Sequence, residues 1–446
     1  MSGRMQAVSE HIEAETNRVD DAPPHTDSYY AATANPAPHR PPLRGDLTAD
    51  VCVVGAGFTG LSTALHLAEK GYRVVVLEGA RVSWGASGRN GGQLVNGFNR
   101  DLDGIAKRYG TRAAEAIGPL LFEGGNIIRE RVAKYAIDCD LKKGNLFMAF
   151  TKRQLDALEK RKVIWERFGH TGLESIAPDR LRDFVDTDLY CGGLLDRWGG
   201  HLHPLNLALG EAAAFESLGG VIHEKSRVTR VEQGAKPLVH TSTGRVRSEF
   251  VVACGNAYLG ETLPELGAKI LPASSQVITT EVLGEQQSSA LLPQDHCVED
   301  CNYFLDYYRI TGDKRLLFGG GTVYGGKDPA DIVAEIRPHL EKTFPGLAGT
   351  RIEYAWSGNI ALTVSRVPHM GRIGDNVYFS HGYSGHGVTG SHLAGRILAE
   401  AIGGQAERLD VFAQLTHLPF PGGRLLRVPL VRMGAWYFVM KEKLGL

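Results

Sequence analysis

Cysteine is scarce: six in 446 residues, at positions 52, 139, 191, 254, 297 and 301. That scarcity excludes a disulfide-stapled scaffold, and no pair has the spacing of a redox or zinc motif. The six are expected to be unpaired, buried thiols in a reducing cytoplasm. A surplus of either charge is missing as well. With 49 Lys and Arg against 50 Asp and Glu the net charge is −1, which argues against a nucleic-acid or polybasic membrane partner. No internal repeat and no Gly-X-Y period is present, and the stretch from Met1 to Asp21 has no apolar run of the kind a secretory signal needs. Val51 to Ala68 is 18 residues without a formal charge, long enough to suggest a membrane span. Three glycines, Thr59, Ser62, Thr63 and His66 interrupt it, and a strand followed by a helix explains it better.

What the chain has in excess is glycine, 55 residues or about 12%, against roughly 7% in average proteins. With 43% apolar and 22% charged residues the remainder is ordinary globular composition. The length points to two domains. Residues 1–46, rich in Pro, Ala, His and Asp, read as an extended lead-in with little core. Val51 to Val54, Phe58 to Lys70 and Arg73 to Leu77 then form a βαβ pattern. From about 106 to 195 the texture is helical and charged. The α/β texture returns after Asn206, gives way to strands without helices between Ile270 and Phe318, and resumes from Arg351 to the helix Val388–Ile402. The fold class expected is α/β, with a Rossmann-type dinucleotide domain (47–105, 200–262 and 350–413) and a second α+β domain on an antiparallel sheet (106–199 and 263–349). Residues 414–446 form a tail, basic with interleaved aromatics, expected to pack as a helix on the protein's own surface and not on a membrane.

Gly55-Ala56-Gly57-Phe58-Thr59-Gly60 fits GxGxxG between a strand and a helix, where the glycines serve the tight turn, the approach of a pyrophosphate and the packing of helix on strand. Glu78 ends the second strand, where a carboxylate receives ribose hydroxyls and disfavours a 2′-phosphate. A second glycine cluster, Trp84-Gly85-Ala86-Ser87-Gly88-Arg89-Asn90-Gly91-Gly92-Gln93, follows at once and offers N–H donors to the same dinucleotide. A third, His381-Gly382-Tyr383-Ser384-Gly385-His386-Gly387, opens the helix from Val388, whose N-terminus favours negative charge. His201 and His203 in GGHLHP have i, i+2 spacing with no third metal ligand evident, and read as loop and packing histidines.

On the strings ADVCVVGAGFTGLSTALHLAEKGYRVVVLE, WGASGRNGGQ, DYYRITGDKRLLFGGG, YAWSGNIALTVSRVPHMG and GYSGHGVTGSHLAG, the chain from about Ser28 onward resembles the FAD-dependent amine and amino-acid oxidoreductases of the D-amino-acid oxidase superfamily. Within it the match is to γ-glutamylputrescine oxidase-like enzymes. That resemblance implies FAD, with Gly55, Gly57, Phe58, Thr59, Gly60 and Glu78 on the ADP half and Trp84 through Gln93 near the pyrophosphate and ring. It also implies Gly385, His386, Gly387, Val388 and Thr389 under the pyrimidine edge, the Val228 backbone at adenine, and Gly255 at the return from the second domain. No cysteine lies in SGHG or the helix after it, so the FAD is expected to be non-covalent.

The chemistry so implied is hydride transfer from the carbon bearing a neutral amine to flavin N5, then imine hydrolysis, in a protein that supplies orientation and a dry face. Tyr307 or Tyr308, Arg309, Trp356, Trp84 and His386 are the expected walls, with Tyr308, Arg309, Trp356 and His386 as the catalytic set; Tyr307 and Tyr308 alternate faces, so at most one of the two faces the pocket. Sarcosine oxidases of this superfamily clamp the substrate carboxylate with a lysine after SGHG and an arginine near the second cluster. Here Thr389 and Gly92 stand there, which argues against an α-amino acid and leaves Arg309 or Arg366 for a distant carboxylate. The lysine that helps those enzymes react with oxygen falls in Leu316-Leu317-Phe318. The expected reaction is oxidation of a primary amine, γ-glutamylputrescine or a similar N-substituted diamine, to an aldehyde with ammonia and hydrogen peroxide. The alternative is a secondary-amine or D-amino-acid dehydrogenase that passes electrons to a quinone or another acceptor.

Overall fold

The computed structural model describes residues 23–260 and 262–443. Val51–Val54 and Val74–Leu77 are buried at every position, as strands of a parallel sheet covered on both faces must be. They lie at the centre of a six-stranded sheet ordered His369–Ile373, Val377–His381, Phe250–Ala253, Val51–Val54, Val74–Leu77, Val221–His223. All neighbours in it are parallel except the hairpin His369–Ile373 with Val377–His381. The helix Phe58–Glu69 leaves this sheet at the fingerprint turn and packs against the helix Gly387–Ile402. The uncharged run from Val51 is thus a strand and a helix. Among the described residues no helix is long and apolar enough to cross a membrane.

The second sheet has nine strands and is antiparallel apart from the pair Lys142–Ala149 with Cys297–Asp300. Its order runs Ile352–Leu362, Leu271–Thr280, Leu316–Tyr324, Tyr307–Ile310, Cys297–Asp300, Lys142–Ala149, Gly192–His201, Gln93–Leu94, with Leu173–Ile176 also on Gly192–His201. Side chains alternate along each strand. On one face Val298, Tyr308, Ile310 and Phe318 meet the helix Ile332–Thr343 through Ile336 and Leu340. The other face turns Tyr307 and Glu299 toward the glycine loops.

Three features differ from the sequence reading. The strand Ile352–Leu362, expected within the dinucleotide domain, is an edge of the nine-stranded sheet, because its alternating side chains pair it along its length with Leu271–Thr280. The helices Thr111–Ile117 and Glu123–Lys134, expected in the second domain, and Leu102–Tyr109, which straddles the expected boundary at 105, share one apolar cluster with Val53 and Leu65 through Ile117, Ile128 and Ile105. The described part of the lead-in also contributes core. Ser28 caps a short helix, Tyr29–Ala32, by accepting from Ala31 N at 3.1 Å, and Tyr30 packs with Leu205, Leu317 and Trp356. Arg40 makes a two-pronged ion pair with Glu216 at 2.7 and 2.8 Å. A capped aromatic pair outweighs the prolines around it. Residues 1–22 lie outside the described residues.

The tail helix Gly423–Lys443 packs through Val428, Val431 and Ala435 on the edge of the nine-stranded sheet. Its other side leaves Leu425, Met433 and Trp436 two-thirds or more exposed.

Three histidines, His369, His381 and His417, stack together, with His369 Nδ1 2.8 Å from His381 Nε2. Burial first, then the charges of His417 and Lys269, pulls His381 down to about 3, and burial with Lys269 and Arg108 pulls His417 down to about 4. His369 is lowered further by burial and its two neighbours. A histidine that is neutral in the fold but protonated in the unfolded chain removes stability as pH falls below its unfolded value near 6.5. Stability is therefore expected to decline from about pH 6.5 downward by up to about 1.4 kcal/mol per unit for each histidine. Urea midpoints across that range test this, and His417→Gln should flatten the decline; an unchanged slope refutes it.

Candidate active site

The fingerprint turn is built as its glycines require. A Cβ on Gly60 would lie 1.9 Å from the Gly55 carbonyl oxygen, so helix and strand meet only without a side chain there. Gly57 caps the helix with no side chain of its own, and Ser87 Oγ, from the second glycine cluster, accepts from Phe58 N at 3.0 Å. The first two glycine clusters therefore fold against each other. Glu78 receives the Ala56 and Ala80 amides at 2.8 Å each, and burial pushes its carboxyl up against those two hydrogen bonds. Gly255 sits beside Gly55, whose Cβ position is 3.2 Å from the Cys254 carbonyl, and Val228 is buried with its carbonyl accepting from Thr262 Oγ1.

The second cluster is locked by Asn90, whose amide nitrogen donates to the Ala86 and Ser87 carbonyls while its oxygen accepts from Gly92 N. Arg89 lies over the Trp84 ring at 4.2 Å, and Trp84 itself stands edge-on to Tyr258. The third cluster opens the helix Gly387–Ile402 at His386 with no side-chain cap. Thr389 Oγ1 donates to the Val95 carbonyl at 2.6 Å.

Between the second and third clusters and the antiparallel sheet lies a cavity of about 350 Å³. Ala86, Arg89, Asn90, Gly91 and Gln93 form one side, Ser384, Gly385, His386 and Val388 another, and Tyr307, Tyr324 and Ile360 the sheet wall. Tyr303, Phe304 and Arg366 also line it, and the Tyr303 ring stacks on Phe438 of the tail helix at 5.3 Å. The Tyr307 ring passes so close that Cβ atoms on Gly91 or Gly319 would lie 2.5 and 2.2 Å from it. That contact gives the Gly319 glycine, so far without a role, a function in seating the ring.

Not every expected wall residue reaches this cavity. Tyr308 points to the opposite face, fully buried, hydrogen-bonded to Tyr190 at 3.0 Å and stacked on Phe318; strand alternation gives the cavity to Tyr307. Trp356 is 1% exposed, donates to the Arg89 carbonyl at 2.9 Å and packs edge-on to Tyr30, so it supports the second cluster from behind. Arg309 donates to the Gly91 carbonyl at 2.8 Å and to Tyr30, and it borders a different, smaller pocket of about 160 Å³ with His203 and Asp140. Only His386 of the expected catalytic set lines the main cavity, held down to about 4 by burial and then by Arg161. His203 Nδ1 accepts from Asn206 N at 3.1 Å, and His201 Nε2 lies 2.8 Å from the Asp295 carbonyl oxygen.

The sequence reading passed over Glu299. It lies in the short buried strand CVED beside Asp300, and is the one acidic side chain among the cavity's lining residues. A carboxylate on the cavity face of such a strand was the available signal.

The groups present fit an extended, negatively charged dinucleotide: donors at two helix N-termini without caps of their own, and an accepting carboxylate at the end of the second strand. Two buried polar atoms at the cavity, Arg89 Nη2 and His386 Nδ1, have no hydrogen-bond partner among the described residues and suit the same ligand.

This combination of sheet, turns and cavity defines a flavin-dependent oxidoreductase. The family model for FAD dependent oxidoreductases, DAO, matches residues 50–401, and the chain belongs to that family. It is 53% identical over 422 residues to the γ-glutamylputrescine oxidoreductase of Escherichia coli K12, which covers 94% of this chain and 99% of that protein. A probable oxidoreductase OrdL of Haemophilus influenzae is 42% identical, with 94% and 98% covered. Among solved structures, glycine oxidase from Geobacillus kaustophilus superposes with a TM-score of 0.70 at 20% identity, covering 83% of this chain and all of that one. L-proline dehydrogenase from P. horikoshii gives 0.68 at 20% identity, covering 83% and 96%. These two likenesses concern the fold.

Proposed function

We propose that this enzyme oxidises the primary amine of γ-glutamylputrescine, or of a similar N-substituted diamine, to the aldehyde with release of ammonia and hydrogen peroxide. The observation that carries this reading is the position after the third glycine cluster. Thr389 is buried and tied to the Val95 carbonyl, and no lysine lines the cavity, so an α-carboxylate has no clamp beside the reacting carbon. Arg366 lines the cavity from the loop before His369, and among the described residues it pairs with no acid. Its guanidinium suits a carboxylate far from the amine. Tyr303, Phe304, Tyr307 and Tyr324 suit the aliphatic chain between the two ends.

FAD, when bound without a covalent link, supplies the acceptor for the hydride that leaves the amine-bearing carbon. The side chains hold and orient: Arg89 and the helix start at Gly387 face negative charge, and His386 stays neutral near neutral pH. The six free cysteines suit a reducing cytoplasm. Leu316, Leu317 and Phe318 are fully buried and bring no cation to the cavity, which favours the second reading, a dehydrogenase that hands electrons to an acceptor other than oxygen.

Anaerobic bleaching across a panel of amines tests the substrate. γ-Glutamylputrescine is expected to bleach the flavin about tenfold faster than putrescine at equal low concentration, with sarcosine and D-alanine inert. Arg366→Ala should erase that tenfold preference, a loss of about 1.4 kcal/mol. Bleaching by sarcosine or D-alanine and not by amines overturns the proposal. Peroxide release on admitting air separates oxidase from dehydrogenase.

A further inference from the structure

Glu299 stands on the strand Cys297–Asp300, paired with Phe147 on one side and Tyr307 on the other. Val298 and Tyr308 face the helix Ile332–Thr343, so Glu299 and Tyr307 face the cavity together. The residue is only 7% exposed, yet its carboxylate forms no hydrogen bond and no ion pair with any described residue. A carboxylate enclosed in this way favours a cationic or protic partner. Glu299 lines the cavity, where a ligand can reach it, and neither Arg89 nor Arg366 of the same lining is paired with it.

The groups around Glu299 come from several elements. Arg161, on the helix Lys152–Arg167, is its nearest cation, but the guanidinium is engaged over Phe147 and Trp165 at 4.8 and 5.8 Å. Asp300 is held by the Asn302 and Asp306 amides. Cys297, Cys301 and Asp300 all feel the Glu299 charge. His386 across the cavity is neutral, and the Tyr307 hydroxyl is pushed up to about 12 by burial. Burial, opposed only by Arg161, raises the Glu299 carboxyl to about 7, so near neutral pH it exchanges a proton readily.

We propose that Glu299 is a catalytic residue that receives the substrate's ammonium group and takes a proton from it, so that the amine is neutral when its carbon is oxidised. This inference rests on the amine-oxidising reading above. The balance is simple. The N–H bond of R–CH2–NH3⁺ breaks, its electron pair stays on nitrogen, and the proton forms an O–H bond on the Glu299 carboxylate. FAD, when bound, would supply the acceptor for the hydride that leaves this carbon as the nitrogen lone pair closes the C=N bond; water then hydrolyses the iminium to the aldehyde and ammonium. Glu299 returns its proton to solvent.

The test is the pH dependence of anaerobic flavin reduction by γ-glutamylputrescine in the holoenzyme and in Glu299→Gln. In the wild type the second-order rate constant needs ionised Glu299 and protonated substrate. It should therefore rise through about pH 7 and fall near the substrate's own pKa of about 10. In Glu299→Gln the acid limb near 7 should vanish. The rate should drop about 100-fold or more near neutral pH and recover as the pH approaches 10, where solvent supplies the neutral amine. Glu299→Asp should restore part of the neutral-pH rate. A Glu299→Gln profile parallel to the wild type, or one that does not recover at high pH, overturns the role. A wild type bleached by sarcosine or D-alanine and by no amine removes the functional reading first and this inference with it, a result distinct from a parallel profile.

Discussion

Valine at position 60 is expected to yield a chain that carries no flavin. The Cβ of any residue there would lie 1.9 Å from the Gly55 carbonyl oxygen and 3.3 Å from Val53 Cγ1, so the helix Phe58–Glu69 must move off its strand. Moving it displaces the N-terminal amides proposed to hold the dinucleotide phosphates. Purified Gly60→Val should show no visible flavin absorbance and little recovery on incubation with excess FAD. Far-ultraviolet circular dichroism separates this outcome from unfolding, since most of the nine-stranded sheet lies away from the turn. A yellow, stoichiometric variant would falsify the assignment of the turn to the cofactor.

The second large effect concerns stability. Glu211, on the helix Pro204–Ser217, is fully buried and meets Arg131 Nη1 at 2.7 Å and His392 Nε2 at 3.1 Å. It links three helices: its own, Glu123–Lys134 and Gly387–Ile402. Burial pushes its carboxyl up, but the charges and hydrogen bonds of His392 and Arg131 outweigh burial and bring it down to about 2. Glu211→Gln leaves Arg131 buried without its counter-charge, and the expected loss is about 3–5 kcal/mol. The sign with pH follows from the depressed value. The stabilisation is complete above the unfolded carboxyl near 4.5 and is lost as pH falls toward 2. Urea midpoints of wild type and variant should differ most near neutrality and converge in acid; a constant gap would show that packing, not charge, holds the three helices.

Much of the candidate cofactor site was legible because glycine leaves a direct trace in sequence. The turn at Gly55–Gly60, the cluster at Gly85–Gly92 and the turn at Gly382–Gly387 are each places where backbone must come close to backbone or ligand. The substrate side left no comparable trace. Whether Tyr307 or Tyr308 faces the cavity depends on register, and one residue's shift exchanges the two faces. Trp356 and Arg309 belong to the right strands but serve the second cluster from behind, through the Arg89 and Gly91 carbonyls. Glu299 escaped notice because an acidic pair, Glu299 and Asp300, in a short buried strand has no motif. The lead-in misled for a different reason. Proline-rich composition lowers the chance of regular structure, but it does not prevent Tyr30 and Arg40 from finding buried partners.

The interleaving of the six-stranded sheet governs how the molecule can assemble. Val51 pairs with Phe250, about 200 residues away, and Val251 with Val377. The centre of the sheet therefore closes only after long loops have been drawn together, and such non-local pairing slows folding and prolongs the exposure of apolar strand edges. Val51–Val54, buried on both faces in the finished enzyme, loses its neighbour Phe250–Ala253 in a fragment that ends before it. Neither half of the chain can serve as an autonomous module, and cutting between the βαβ unit and its late strands leaves two aggregation-prone pieces in place of two domains.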